Sequence, residues 1–175
     1  TDLISNDGIS NVMNISFDTL KNYDNSKTLF DVNGNYYFIA ISEEENCLIV
    51  KNNTLEEKKI YCADNESLIF DYVLFDDYIY INLLKDDKSS IVKYEKETHN
   101  YSIKNLTYAV ASMRKLDQNR LIIIDKEKRI IIFDLQLKLI KSIKIPNINY
   151  KFEILNDSSI VTSTSEGKIK IISNL

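Results

Sequence analysis

The sequence has no tryptophan, one proline, three glycines, two cysteines and one histidine in 175 residues. Each scarcity closes off a class. One histidine (His99) and two cysteines (Cys47, Cys62) cannot assemble the ligand set of a zinc site, and two thiols are too few for a disulfide scaffold. They are read as reduced thiols, which places the chain in the cytoplasm or nucleus. No apolar run approaches the roughly 18 residues of a membrane-spanning helix; Leu121–Ile124 is followed at once by Asp125. There is no basic excess either. Lys and Arg number 22 against 26 Asp and Glu, a net charge of -4, which argues against direct nucleic-acid binding through a basic stripe. No phosphate-cradling glycine loop, metal-ligand spacing or Gly-x-Ser-x-Gly elbow occurs, so no cofactor is expected. No basic segment with an apolar core stands at the front, and the start at Thr1 reads as a processed product or an excerpt of something longer.

What is present is a beat. Apolar runs begin at Tyr36, Tyr78, Arg120 and Ser159, in steps of 42, 42 and 39 residues. After each comes a polar tip and then a second run: Cys47–Val50, Ile91–Tyr94, Ile130–Phe133 and Ile169–Ile172. Short apolar runs joined by tips of about four residues are β-hairpins. Weaker strand candidates flank each hairpin. Thr28–Val32, Leu68–Phe75, Tyr108–Leu116 and Tyr150–Leu155 precede the hairpins; Glu56–Tyr61, Tyr101–Leu106 and Lys138–Ile145 follow them. That makes four strands per period. Continuous apolar middle strands imply burial on both faces, and the lysines of the last strand (Lys58, Lys59, Lys104, Lys138, Lys141, Lys144) suit an exposed edge.

Two acid–glycine turns bracket the chain, Ser5-Asn6-Asp7-Gly8 and Thr164-Ser165-Glu166-Gly167. With Ile130–Phe133 running into Asp134, these units resemble WD40-like propeller blades, whose period is about 40 residues. The resemblance implies an all-β fold, a β-propeller of four-stranded antiparallel blades, with about four blades' worth in this chain. The expected division is a partial blade over 1–27, blades over 28–66, 67–107 and 108–148, and a partial blade over 149–175. Such a segment calls for something to complete it, in another chain or in further sequence.

Enzyme signals are thin. His99 sits in a polar connection and is expected to be an exposed loop histidine. Cys47 is expected to be a small buried hydrophobe, and Cys62, near Lys58 and Lys59, a weak candidate for an activated thiol. Tyr72, Tyr78, Tyr80 and Tyr94 lie in strands, where packing is the natural role. The carboxylates are more suggestive. In a propeller the tip joining the two middle strands shares a face with the loop between blades. Glu43, Glu44, Glu45, Asp64, Glu66, Asp86 and Asp87 would then form an acidic face, giving way to a basic tip at Lys126–Arg129. Such a face suits docking of a basic protein segment. The resemblance implies a non-catalytic interaction scaffold, a subunit of a eukaryotic intracellular complex. The alternatives are an enzyme or ligand-binding propeller using its central channel, and a non-catalytic subunit assisting an RNA-modifying partner.

Overall fold

The computed structural model describes residues 27–41, 45–156 and 158–175. They form fifteen strands and no helix, in four antiparallel sheets each built of sequence neighbours. The first sheet holds β1 (Thr28–Phe30), β2 (Tyr36–Ile41), β3 (Asn46–Lys51) and β4 (Glu57–Cys62). The second holds β5 (Leu68–Leu74), β6 (Tyr78–Lys85), β7 (Lys88–Glu95) and β8 (Tyr101–Asn105). The third holds β9 (Val110–Lys115), β10 (Arg120–Asp125), β11 (Arg129–Asp134) and β12 (Leu139–Lys144). The fourth has three strands: β13 (Ile148–Asn156), β14 (Ser159–Thr164) and β15 (Ile169–Ile172). The acid–glycine turn at Ser5–Gly8 lies outside the described residues.

The apolar runs have the expected cause. Side chains of a strand alternate between faces, and in the second and third sheets both faces of the middle strands meet a neighbouring sheet. Leu121 and Ile123 of β10 join Val73, Tyr80 and Ile91 of the second sheet. Ile122 and Ile124, one step along the same strand, pack on Phe152, Ile160 and Ile172 of the fourth. Tyr37, Ile39 and Leu48 meet Ile69, Tyr72 and Ile81 between the first and second sheets. The opposite face of the first sheet carries a buried cluster of its own, Tyr36, Phe38, Cys47 and Ile49. Each fully buried Ile or Leu contributes about 2 kcal/mol of hydrophobic stabilisation, so the interfaces, not the individual sheets, hold the molecule together.

Among the described residues, five connections share one turn. Asp31, Asn52, Asp125, Asp134 and Thr164 each open a loop whose fourth residue is left-handed: Gly34, Leu55, Lys128, Leu137 and Gly167, with φ between 59° and 78°. In each, the N–H of that fourth residue donates to the first residue's carbonyl at 3.0–3.1 Å. The opening side chain satisfies the amides that the turn leaves unpaired. Asp125 Oδ1, for example, accepts from the N–H groups of Glu127 (3.0 Å) and Arg129 (2.8 Å). Asn52 Oδ1 and Asp134 Oδ1 do the same two and four residues on. The side chain closes the turn, so glycine is optional at its fourth position and three of the five do without it.

One expectation is overturned. Cys47 and Cys62 are joined in a disulfide, not two reduced thiols. Near the turn, β3 and β4 pair Lys51 with Glu57 and Ile49 with Lys59; a bulge then adds one residue on β4 between the pairings of Ile49 and Leu48. Without it Cys47 would face Tyr61. The bulge moves Cys62 into that place, with a Cα–Cα separation of 4.0 Å, and directly opposed side chains are close enough to bond. Cys47 is buried as expected, but as half of a cross-strand link.

Candidate functional site

The tips β6–β7, β10–β11 and β14–β15 lie beside the connections between sheets. Main-chain bonds tie the two sets of loops: Lys126 N–H to Ala109 O (3.0 Å), Ile145 N–H to Lys128 O (3.1 Å) and Ser165 N–H to Asn147 O (3.2 Å). Glu43 and Glu44 lie outside the described residues. Among the others, three are matched by lysines. Glu45 pairs with Lys59, Glu66 with Lys85, and Asp87 with Lys126 at 2.6 Å. The Lys126 hydrogen bond holds the Asp87 carboxyl below the usual range, and Glu66 raises the Lys85 ammonium. Asp64 is held low by the Ser67 hydrogen bond and accepts the Glu66 N–H at 3.1 Å. Asp86 and Asp87 are the two left-handed central residues of a tight hairpin (φ 48° and 56°), a conformation that Asn, Asp and Gly tolerate best. The face is therefore of mixed charge, and the Lys126 tip bonds across to the acidic tip beside it.

His99 stands at the other end of the sheets. Its Nδ1 lies 2.8 Å from Tyr94 Oη and its Nε2 lies 3.0 Å from Lys58 Nζ. An ammonium can only donate, so Nε2 accepts and the ring is the neutral Nδ1–H tautomer, donating to the tyrosine. Both nitrogens are occupied by local contacts. Two strand tyrosines bridge sheets. Tyr72 Oη donates to Tyr37 O at 2.6 Å and accepts the Leu29 N–H at 3.2 Å; Tyr80 Oη donates to Leu135 O at 2.6 Å. Burial pushes both phenols well above their ordinary value.

A second site was not anticipated residue by residue. The first strands of the four sheets, β1, β5, β9 and β13, line an open axial cavity of about 700 Å³ with Lys27 at its wall. At its centre Asp71 is nearly buried and fully engaged. Its Oδ1 takes Lys27 Nζ at 2.6 Å, its Oδ2 accepts the Met113 N–H at 2.9 Å, and Arg114 Nη1 stands 3.7 Å away. Burial lowers the Lys27 ammonium below its usual range, with Asp71 opposing the shift. Arg114 Nη1 also donates to Met113 O at 2.8 Å. Lys115, Lys151 and Glu153 line the same space. The signal was there in the sequence: Asp71, Arg114 and Lys151 interrupt the apolar pattern of strands otherwise expected to be buried.

No protein-family model and no curated protein matches the sequence. Solved structures do. TolB from Acinetobacter baumannii superposes with a TM-score of 0.63 at 15% identity, over 84% of this chain and 40% of that one. BBS1N in its complex with ARL6DN gives 0.61 at 14% identity, over 85% and 46%. BamB from Moraxella catarrhalis gives 0.60 at 9% identity, over 83% and 42%. All three are β-propellers, and this chain is an all-β propeller structure of about four blades. It spans less than half the length of each of these three chains.

Proposed function

We propose that this propeller chain is a non-catalytic, WD-type protein-interaction module, a subunit of a multiprotein complex, that is completed by a strand from elsewhere. The observation that carries the reading is the fourth sheet. Among the described residues it has three strands where the others have four, and the face turned away from the third sheet carries exposed apolar side chains beside Glu153. Ile169, Ile171 and Leu155 are exposed there to 80%, 62% and 51%. Apolar side chains grouped on one sheet face mark an interaction surface, and an unpaired edge offers main-chain groups to an incoming strand. That BBS1N was solved with ARL6DN bound supports reading a propeller of this kind as a docking module. His99, with both ring nitrogens engaged by Tyr94 and Lys58, is a poor general base.

The expectation of a cytoplasmic or nuclear setting rested on reduced thiols. With Cys47 and Cys62 paired, an oxidising compartment suits the chain better. Mass-tag labelling of thiols in protein taken from its source without reductant tests this: no label is expected.

Chemical cross-linking of the protein in its native assembly tests the function. Lys168 and Lys170 flank Ile169 and should cross-link to a co-purifying polypeptide. Ile169→Lys with Ile171→Lys should abolish those cross-links while leaving the melting temperature unchanged. A native mass equal to that of the chain alone, with no cross-link from either lysine, would overturn the reading.

A further inference from the structure

The axial cavity carries more charge than its internal pairing consumes. Four cations line it, Lys27, Arg114, Lys115 and Lys151, against two carboxylates, Asp71 and Glu153, in a protein whose net charge is -4. Lys27 and Asp71 cancel each other at 2.6 Å. Lys115 leans outward, 3.5 Å from Asp76. Asp71 is shared between Lys27 and, at 3.7 Å, Arg114, which leaves Glu153 as the one further lining carboxylate to set against Arg114 and Lys151.

A second observation is independent of charge. Among the described residues, five buried side-chain polar atoms have no hydrogen-bond partner, and the one that borders the cavity is the Oγ of Ser112, a residue only 7% exposed. Buried hydroxyls are nearly always bonded, so an orphan hydroxyl beside a cationic cavity points to a ligand acceptor. The third observation is aromatic. Phe30 and Phe70 line the cavity while remaining 57% and 46% exposed, so each offers part of its surface to something flat.

We propose that this cavity binds a small anion of the aryl or nucleoside phosphate class, its charge held by Arg114, Lys151 and the Ser112 hydroxyl and its ring laid against Phe30 and Phe70. The guanidinium supplies a planar fork matched to a phosphate, and Lys151 adds a point charge. Asp71 acts as a positioning residue: engaged by Lys27 and the Met113 amide, it stands within 3.7 Å of the guanidinium and anchors that end of it. This site is distinct from the β15 surface and does not depend on it.

Calorimetric titration of the full chain with phenyl phosphate, inorganic phosphate and benzyl alcohol separates the contributions. Phenyl phosphate should saturate one site at least about tenfold more tightly than inorganic phosphate, since the ring adds apolar burial. Benzyl alcohol alone should give no saturation. Lys151→Gln, at an exposed position, should weaken phenyl phosphate roughly tenfold, as befits a charge-assisted hydrogen bond. Ser112→Ala should weaken it about threefold. Glu153→Gln should tighten it, a change that structural damage would not produce. No saturation by phenyl phosphate, equal binding of inorganic phosphate, or unchanged affinity in Lys151→Gln would overturn the proposal.

Discussion

Turn chemistry decides much at the scale of single residues. Leu55 holds φ 65° while 58% exposed, so its side chain meets the left-handed penalty and offsets it with little packing. Leu55→Gly should stabilise the protein by about 0.5 kcal/mol, the steric relief of about 1–2 kcal/mol exceeding the entropy that glycine adds to the unfolded chain. Leu137 has the same conformation (φ 59°) but is 4% exposed in the core between the second and third sheets. There the same substitution should cost about 2 kcal/mol, because the lost burial outweighs the relief. Urea denaturation of the two variants reads the opposite signs.

Asp31 opens the first of these turns and gives a pH dependence. Burial opposes its charge, but hydrogen bonds from Asn35, Tyr37 and Asn33 outweigh that and hold the carboxyl below its ordinary value of 3.8. A folded value below the unfolded one means stability that is complete above the unfolded pKa and lost as pH falls through the folded one. Asp31→Asn should therefore cost about 1 kcal/mol at neutral pH and progressively less below the ordinary carboxylate value. Denaturation curves at neutral and strongly acidic pH would show the gap closing.

Between residue and domain, the sheets are tied by single hydroxyls as well as by apolar surface. Tyr72→Phe leaves the Tyr37 carbonyl and the Leu29 amide without their partner between the first and second sheets. Its expected cost is about 1–3 kcal/mol, read from the urea midpoint. Most of the strand pattern was legible in the residues, since hydrophobic alternation and continuous apolar runs follow directly from which faces a strand buries. Ile169–Ile172 is β15 to the residue, and Tyr36–Ile41 is β2. The Cys47–Cys62 pairing was not legible, because it depends on a one-residue bulge on β4, opposite the step from Leu48 to Ile49, that no composition signal marks. The charge pairing of Glu45, Glu66 and Asp87 was hidden for a related reason. Lys59, Lys85 and Lys126 lie 14 to 39 positions away from their partners, and only the stacking of sheets brings them together.

The whole molecule behaves as a short array in which each sheet leans on its neighbours, so stability should fall off toward the ends. The second and third sheets are packed on both sides by described neighbours, whereas the fourth is packed on one. Hydrogen exchange should protect β6, β7, β10 and β11 longest and release β15 first. Equal protection of β15 in the isolated chain would mean that its outer face is covered, against the proposed role of that face.

The sequence by itself determined the strand order, the four-stranded period and the buried character of the middle strands, because these are local consequences of side-chain alternation and turn chemistry. Only the tertiary structure decided what faces what. Glu45, Glu66 and Asp87 are paired with lysines where an acidic patch bordered by a basic tip was expected. A disulfide joins two cysteines that a bulge aligns, and a charged cavity forms where four inner strands from separate periods converge. Those contacts depend on sheet-to-sheet geometry, and distance along the chain carries no record of it.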